Sequence, residues 1–345
     1  METTHRVYVD DARELTALDD DSVDLVVTSP PYPMIEMWDD LFAELDPAVG
    51  DHLDDGDGNA AFDAMHDVLD AVWAELRRVL VPGGIACINV GDATRKVDDS
   101  FRVYPNHARI VEAFTALGFE PLPDILWRKP VNSAAKFMGS GMLPPNAYVT
   151  LEHEYVLVFR NGPDSRSFEP GADRRYDAAY FWEERNRWFS DVWTEVAGER
   201  QALDGDDLRE RSAAFPFEIP YRLVNMYSVY GDTVLDPFWG TGTTSLAAMI
   251  AGRNSVGTEL DPEFVGFFDD RVDEVPSLSR DVVADRLDAH REFVADYEGD
   301  LAYDAAHYDF PVQTKQERSI RLYSVADVDQ TDNGYRAVHE PSDAD

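Results

Sequence analysis

The sequence contains little cysteine and little lysine, and it has no long apolar run. Among 345 residues there is one cysteine, Cys87, and four of the 30 basic residues are lysines. A single cysteine excludes an internal disulfide and a metal site built from several thiolates. No segment approaches the roughly 18 consecutive apolar residues that a membrane helix needs. The first residues also lack the charged and apolar regions of a secretion signal. We therefore expect a cytoplasmic protein without a membrane partner.

Positive charge is scarce, with 30 basic residues against 68 acidic ones and a formal net charge of −38. Such a balance ordinarily argues against a nucleic-acid partner, because phosphate binding depends on positive charge. The alternative interpretation is adaptation to molar salt, where charges are screened within about 3 Å. An acidic composition with few lysines favours this second interpretation. The charge then indicates where the protein works rather than what it binds.

Strand-like and helix-like segments alternate along the chain. Residues 25–27 form an apolar run that stops at a proline pair, and residues 85–90 read as a second buried strand. Between them, residues 69–79 place apolar side chains on one helical face. The acid-rich stretch 36–60 has no lysine or arginine and is expected to be a solvated loop. The alternation predicts an α/β fold with a parallel sheet and helices on both faces.

One motif, TVLDPFWGTGTT, joins a strand to a glycine-bearing turn and a helix. The strand ends at Asp236, and Gly240 and Gly242 follow, so that backbone amides can approach an anionic ligand. The next strand ends at Glu259, where a carboxylate can bind ribose hydroxyls. Ser245 stands where a dinucleotide fingerprint has its third glycine, and no Gly-Lys-Ser/Thr is present. The motif predicts a nucleoside-containing cofactor, with a plain strand-to-helix turn as the alternative.

The second motif, TSPPY, spans Thr28 to Tyr32 directly after a predicted buried strand. Prolines have no amide hydrogen, so this turn presents carbonyl groups without competing donors. Ser29, the Pro30 carbonyl and the Tyr32 ring together offer acceptors beside an aromatic platform. This arrangement suits a planar ring that bears an exocyclic amine. The alternative is a proline-terminated strand with a packed tyrosine.

Together, the two motifs resemble those of the amino-methylating DNA methyltransferases that use S-adenosyl-L-methionine. TSPPY precedes DPFWGTGTT, an order that resembles the permuted β group, and the resemblance spans roughly residues 5–270. In that family Ser-Pro-Pro-Tyr usually marks cytosine N4 modification and Asp-Pro-Pro-Tyr marks adenine N6. Ser29 therefore favours the cytosine-N4 type, and the acidic composition resembles that of haloarchaeal members. The resemblance implies a Rossmann-like fold with a mostly parallel seven-stranded sheet, helices on both faces and a small target-recognition insert.

The resemblance also implies four parts along the chain. They are a catalytic half that carries TSPPY (1–160), a target-recognition insert (161–214), a cofactor-binding half (215–275) and a C-terminal extension (276–345).

The resemblance further assigns roles to single residues. The catalytic residues would be Ser29, Pro30, Pro31 and Tyr32. The S-adenosyl-L-methionine contacts would come from both motifs and from the first strand: Asp11, Thr28, Asp236, Pro237, Phe238, Gly240, Thr241, Gly242, Thr243, Glu259 and Asp261. Within this set Asp11 would contact the adenine, although Asp10 stands where the family often has glycine. Glu259 would hold the ribose, with Asp261 as a weaker candidate, and no metal is expected.

DNA contacts are expected where basic residues interrupt the acidic chain. Residues 128–136 have three basic and no acidic side chains, and residues 160–187 contain six arginines interleaved with aromatic residues. The predicted DNA-binding residues are Arg128, Lys129, Lys136, Arg160, Arg166, Arg174, Arg175 and Arg187. The alternative is that these arginines pair with neighbouring acids. Residues 137–146 resemble a loop that such cytosine enzymes place near the flipped base.

The sequence thus predicts a methyltransferase that modifies the N4 amine of a flipped-out cytosine in double-stranded DNA. A cognate restriction endonuclease is a further expected partner, and a monomer or homodimer is expected. Cytosine C5 chemistry is disfavoured because it needs a thiolate nucleophile, whereas Cys87 lies in a predicted buried strand. Three alternatives remain: an adenine-N6 enzyme, a non-catalytic nucleic-acid-binding relative and a nicotinamide-dependent dehydrogenase.

Overall fold

A computed structural model describes residues 1–129, 138–196, 215–332 and 334–342. The predicted DNA contact Lys136 and the last part of the predicted insert, 197–214, lie outside these residues.

The strands of the described residues fall into one large sheet and three short hairpins. They are β1 (Glu2–Val9), β2 (Val23–Thr28), β3 (Leu80–Val90), β4 (Ala93–Val97), β5 (Ser100–Tyr104), β6 (Phe119–Pro121), β7 (Ile125–Arg128), β8 (Met138–Gly139), β9 (Ala147–Tyr148), β10 (His153–Asn161), β11 (Val192–Trp193), β12 (Thr233–Asp236), β13 (Asn254–Glu259), β14 (Tyr303–Asp304), β15 (Pro311–Val312), β16 (Tyr323–Thr331) and β17 (Gly334–Pro341).

The helices of the same residues cover the sheet. They are α1 (Asp39–Leu45), α2 (Pro47–Asp54), α3 (Gly58–Val79), α4 (Asn106–Ala116), α5 (Asp173–Asp177), α6 (Trp182–Trp188), α7 (Glu218–Tyr227), α8 (Thr243–Ile250), α9 (Pro262–Val272) and α10 (Val275–Asp296), with 3₁₀ turns at Glu36–Trp38 and Glu317–Ser319. No helix in the described part of the chain has the length and apolarity to cross a membrane.

The large sheet has the order β11-β7-β10-β3-β2-β12-β13-β1-β17-β16, and β6 also pairs with β10. Its five central strands, β3, β2, β12, β13 and β1, run parallel to one another. With the antiparallel β10 and its neighbour β7, they form the seven-stranded sheet that was predicted. The described sheet is wider than predicted because short strands join one side and the C-terminal extension adds β17 and β16 to the other.

Alternating side chains of the central strands build one core on each face of the sheet. Val26 of β2 packs in a cluster with side chains of α3 and α4, among them Trp73. Its neighbours Leu25 and Val27 pack instead with side chains of α7 and α8, such as Leu246. The helices therefore cover both faces, which confirms the predicted α/β fold.

The acid-rich stretch 36–60 is helical, so the predicted solvated loop is wrong. It contains a 3₁₀ turn, α1, α2 and the start of α3. Asp46 and Asp57 cap α2 and α3 by accepting hydrogen bonds from backbone amides at 3.0 to 3.2 Å. Phe42 and Val49 are buried in the core. Acids that cap helices favour regular structure, and the apolar positions between them are too sparse to stand out in the sequence.

The segment predicted as a C-terminal extension contacts both the β1 edge of the sheet and the segment predicted as an insert. β17 pairs antiparallel with β1. Helix α10 reaches the predicted insert through Arg286, which is 11% exposed and donates to the buried Glu184 at 2.6 and 2.8 Å. Trp188 and Trp193 of the insert lie in the same core cluster as Trp127 of β7. The described part of the insert is therefore packed onto the main body.

Candidate active site

The two sequence motifs leave adjacent strands at the same edge of the sheet. β2 pairs with β12 in parallel, with Leu25 opposite Val234, so both strands end at this edge. We call it the carboxyl edge, defined by Thr28, Asp236 and Glu259 as the last residues of β2, β12 and β13. Thr28 Oγ1 donates a hydrogen bond of 2.6 Å to Asp236 Oδ1. The motifs are therefore joined directly, as expected at the carboxyl ends of strands in an open α/β sheet.

A cavity of about 780 Å³ opens at the carboxyl edge between the two motifs. Its lining includes residues 10–13, 29–31, 236–241 and 258–261, with the α1 region 37–45 on one side. Most of the residues predicted to bind a cofactor thus share one hollow with the serine–proline–proline turn. Thr28, Tyr32 and Gly242 are outside the described lining. They support the hollow through the contacts described below.

Asp236 is a buried carboxyl group at the floor of the cavity. Its Oδ1 accepts from the Thr28 hydroxyl and from the Phe238 amide at 3.2 Å. Burial raises the pKa of Asp236 to about 6, against an ordinary value of 3.8, and the nearby Glu259 carboxylate acts in the same direction. A desolvated carboxylate of this kind is stabilised by a cationic ligand group placed beside it.

Glu259 is held by backbone amides from two loops. The Gly240 amide donates to Oε2 at 2.7 Å and the Asp261 amide donates to Oε1 at 3.0 Å. Burial raises the pKa of this carboxyl group above its ordinary range. Asp261 itself caps α9, since its Oδ1 accepts from the Glu263 amide at 2.9 Å. The geometry therefore fixes Glu259 at the cavity wall and gives Asp261 a helix-capping role.

The glycine-bearing turn packs around Trp239. The indole Nε1 donates to Ser245 Oγ at 2.8 Å, which accounts for a serine where a dinucleotide fingerprint has glycine. A Cβ atom on Gly257 would lie 2.0 Å from the same indole ring. Gly240, in contrast, has φ of +53°, and a Cβ there would meet only the Phe238 carbonyl oxygen, at 3.9 Å. Trp239 thus occupies the room between turn and strand, and Gly240 leaves the cavity side clear.

Replacing Gly242 by alanine should destabilise the fold by more than its backbone angle alone explains. Gly242 has φ of +74°, and an added Cβ would lie 2.4 Å from Phe268 and 2.7 Å from Trp239. The matched control is Gly231→Ala, where φ is +77° but no other described heavy atom lies within 4 Å of the added carbon. We expect the control to cost about 1 kcal/mol of unfolding free energy. Gly242→Ala should cost about 1–3 kcal/mol more, because core rings must shift. Urea unfolding measures both, and equal losses would contradict the packing argument.

Asp11 is paired within the chain by Arg13. The guanidinium donates to both carboxylate oxygens of Asp11 at 2.7 to 3.1 Å and to the Leu45 carbonyl at 3.3 Å. Burial alone would raise the pKa of Asp11, but these hydrogen bonds hold it below its ordinary range. Arg13 thereby connects the end of β1 to α1 across the mouth of the cavity.

The TSPPY turn ends in a polar network that the sequence did not reveal. Tyr32 donates from its hydroxyl to Glu154 Oε2 at 3.0 Å, and Ser29 Oγ lies 3.1 Å from the Tyr32 oxygen. Asn89 Nδ2 donates to the Tyr32 oxygen at 2.9 Å and to Glu154 Oε2 at 2.7 Å. Lys129 pairs with the other oxygen of Glu154. The tyrosine hydroxyl is therefore fully engaged by the protein.

A second contact fixes the backbone after this turn. Asn106, at the start of α4, donates from Nδ2 to the carbonyl oxygens of Pro33 and Gly91 at 3.1 and 3.0 Å. His66 in turn lies 3.0 Å from Asn106 Oδ1. Asn89, Asn106 and Glu154 are thus site residues that the sequence reading missed. A polar residue at the end of a predicted buried strand, as in INV at 88–90, is the signal that could have indicated Asn89.

Two of the predicted DNA contacts lie at the carboxyl edge. Arg128 ends β7 with a largely exposed side chain, 3.1 Å from Glu152. Lys129 pairs with Glu154, and its ammonium group lies 4.5 Å from the centre of the Trp127 ring. The residues that follow at 138–152 lead back into β10, and Met142 and Leu143 are 83% and 70% exposed there. This part of the carboxyl edge carries both positive and apolar side chains.

Four other predicted DNA contacts lie at the opposite edge of the sheet or near it. They are Arg160, Arg166, Arg174 and Arg175. Arg166 pairs with Asp24 at 2.9 Å and with Asp232 at 2.7 Å, where β2 and β12 begin. Arg174 lies 3.5 Å from the same Asp232. The structure does not bring this group to the cavity, and pairing with local acids, the alternative given above, describes two of its members. Arg187 is exposed on α6.

The lone cysteine is in the core. Cys87 is fully buried on β3, and burial raises the pKa of its thiol. Within the described ranges, no group of three or more His, Cys, Asp or Glu side chains is placed to hold a metal ion.

Comparison with known proteins places this site in a family context. The DNA methylase family model (N6_N4_Mtase) matches residues 23–268, more than half of the chain. The chain is 52% identical over 325 residues to the Type II methyltransferase M.MthZI of Methanothermobacter thermautotrophicus, an alignment that covers 94% of this chain and 91% of that relative. It is 49% identical over 281 residues to the Type II methyltransferase M.MjaI of Methanocaldococcus jannaschii, with 78% and 91% covered. The structure of a modification methylase of Thermus thermophilus, TTHA0409, complexed with S-adenosyl-L-methionine, superposes with a TM-score of 0.60 at 34% identity, covering 78% and 93%.

Proposed function

The chain belongs to the DNA methylase family, and from that premise we propose that it methylates the N4 amine of cytosine in duplex DNA with S-adenosyl-L-methionine. The observation that carries the proposal is the shared cavity, in which Ser29 and Pro30 face the same hollow as Asp236 and Gly240. A methyl transfer between two bound ligands requires hydrogen-bond acceptors for the target amine and a nucleoside-binding loop within one cavity.

The residues around the cavity suit the cofactor. S-adenosyl-L-methionine, when bound, supplies a methyl group on a positively charged sulfur. We assign its methionine end to Asp236, Phe238 and Gly240, because a buried carboxylate there attracts an ammonium group. Glu259 would hold the ribose hydroxyls. Asp11 would reach the adenine only at an edge of its carboxylate not taken by Arg13. Thr28 and Gly242, which lie outside the cavity lining, would support its wall.

The target base would leave the duplex and enter the hollow beside Ser29. Its amine would donate to Ser29 Oγ and to the Pro30 carbonyl, so that the nitrogen lone pair is free to accept the methyl group. Ser29 rather than aspartate at this position supports cytosine over adenine, by the family resemblance given above. Digesting DNA methylated by the purified protein to nucleosides tests this directly. N4-methyl-2′-deoxycytidine is expected, and N6-methyl-2′-deoxyadenosine would replace the assignment by the adenine alternative.

We place the DNA on the rim of the cavity at the carboxyl edge. Arg128 and Lys129, which also pair with Glu152 and Glu154, are the basic side chains there, and the exposed Met142 and Leu143 supply apolar surface for the gap left by a flipped base. Arg160, Arg166, Arg174 and Arg175 would then lie outside the contact surface. The similarity to Type II methyltransferases also supports pairing with a restriction endonuclease. Deletion of a nuclease gene next to the methyltransferase gene would test that link. The host should restrict unmethylated DNA before the deletion and should no longer do so after it.

DNA binding should depend only weakly on salt between about 1 and 3 M KCl. The net charge of −38 supports a protein that works in concentrated salt. Under those conditions most of the counterion release that drives phosphate binding is already lost. Base-edge contacts and stacking would hold the complex instead. Fluorescence anisotropy with a labelled duplex measures the dependence, and a steep loss of affinity over this range would contradict the proposal.

A further inference from the structure

The network around Tyr32 determines which way the Ser29 proton points. A phenol has one proton to donate, whereas a carboxylate only accepts. Tyr32 gives its proton to Glu154 Oε2 at 3.0 Å, and its oxygen already accepts from Asn89 at 2.9 Å. Burial and the adjacent carboxylate raise the pKa of Tyr32 well above its ordinary value, so the hydroxyl keeps its proton. At the 3.1 Å contact with Tyr32, Ser29 must therefore be the donor.

With its only proton committed to Tyr32, Ser29 can offer nothing but lone pairs to the cavity that it lines. Lone pairs accept from an exocyclic amine and repel a carbonyl oxygen. We propose that Glu154 is a positioning residue that, through Tyr32, makes Ser29 an obligate hydrogen-bond acceptor, and so makes the site select a base with an amine over one with an oxo group at the same ring position. This inference rests on the proposed function, since it concerns the base that enters the hollow.

The surroundings of Glu154 are built for this task. Its side chain is 12% exposed, and the Lys129 ammonium group on its second oxygen balances the buried charge. Gly91 leaves room for the contact, because a Cβ there would lie 3.2 Å from the Tyr32 ring and 3.3 Å from Glu154 Cγ. The register between β10 and β3, with Tyr155 opposite Val90, brings the carboxylate to the end of β3 beside Asn89.

Glu154→Gln should remove the constraint with little change in shape. A glutamine amide nitrogen in the Oε2 position can donate to the Tyr32 oxygen once the Asn89 amide, which donates to Oε2 in the wild type, turns away from it. This releases the tyrosine proton toward Ser29 and allows Ser29 to donate into the cavity. Tyr32→Phe should have the same effect by another route, since it retains the ring but removes the hydroxyl that receives the Ser29 proton. Glu120→Gln is the matched control, because Glu120 is exposed on β6 and distant from the carboxyl edge.

The test compares two duplexes that differ only in the target base, cytosine or uracil, with S-adenosylhomocysteine present. The recognition sequence of the duplexes is identified from DNA that the protein has methylated. Dissociation constants are measured by fluorescence anisotropy. The uracil–guanine mismatch eases flipping equally for every variant, so the ratio of the two constants, compared between variants, isolates the pocket. We expect the preference for cytosine to fall about tenfold in both Glu154→Gln and Tyr32→Phe, the value of one hydrogen bond. Glu120→Gln should keep the wild-type ratio.

Two outcomes would overturn the inference: no cytosine preference in the wild type, or an unchanged ratio in either variant, including equal weakening of both duplexes. The last result would mean that Glu154 only supports the fold. Should Glu154→Gln fail to fold, Tyr32→Phe carries the test alone, because it leaves the Asn89–Glu154 contact in place. If nucleoside analysis shows methyladenine, the cytosine proposal has failed by itself. The same comparison with adenine and hypoxanthine then tests the role of Glu154.

Discussion

Replacing Ser29 by alanine should lower the single-turnover rate of methyl transfer about 100-fold, the cost of losing one oriented hydrogen-bonding group at a reacting centre. The affinity for S-adenosyl-L-methionine should change less than about twofold. The reason is the proposed division of roles, since Ser29 would bind the target amine, whereas Asp236 and Gly240, which line the same cavity, would hold the methionine end of the cofactor. Rapid-quench measurement of the rate and calorimetric titration of the cofactor give the two quantities separately.

Ser22→Ala provides the control for this substitution. Ser22 is exposed just before β2 and donates from Oγ to the Asp19 carbonyl at 2.7 Å, so it tests hydroxyl loss at the other end of the same strand, away from the cavity. The control should retain the wild-type rate. If Ser29→Ala loses rate and cofactor affinity in equal proportion while its unfolding transition is unchanged, Ser29 has a structural role instead of a catalytic one.

The sequence could predict the fold because its strongest patterns are local. The apolar run 25–27 and the glycine turn after Asp236 each mark a strand end without help from distant residues. Their pairing as neighbours was also predictable, since the order of the two motifs resembled a known family. The helices of 36–60 were not predicted, because their acids read as solvated charge while they serve as caps. The local sequence pattern therefore predicted the elements whose residues are buried in an unbroken run. It failed for helices whose buried residues are widely spaced along the chain.

The polar network of the site could not be read from the sequence for a different reason. Asn89 and Glu154 are 65 residues apart and meet only because β10 returns antiparallel beside β3. In the sequence Glu154 is one acid among 68, and nothing local separates it from solvated ones. The reverse holds for the arginines near 166. The electropositive stretch is visible in the sequence, but its acidic partners Asp24 and Asp232 cannot be identified there. In both cases the role of a side chain depends on contacts with residues far away in the sequence.

Replacing Asp236 by asparagine should weaken S-adenosyl-L-methionine binding by more than tenfold and yet raise the stability of the ligand-free protein at neutral pH. Folding raises the pKa of Asp236 from 3.8 to about 6, so the folded state holds this proton more tightly than the unfolded state. The resulting loss of unfolding free energy is absent well below pH 3.8. It grows as the pH rises from 3.8 to about 6 and is complete above that range. At 1.36 kcal/mol per pKa unit it amounts to about 3 kcal/mol.

The asparagine variant cannot ionise, so its stability should exceed that of the wild type by an amount that grows by about 2.5 kcal/mol between pH 4 and pH 7. Urea unfolding across this range measures the difference. In the wild type, cofactor affinity should also fall as the pH drops below about 6, because a cationic ligand then meets a neutral acid; the variant should lack this dependence. Asp124→Asn is the control for cofactor affinity. Burial raises the pKa of Asp124 too, but this residue accepts from the Val158 amide away from the cavity. Parallel stability profiles for wild type and Asp236→Asn would show that the buried carboxylate carries no such cost, and the electrostatic account of cofactor binding would fail with it.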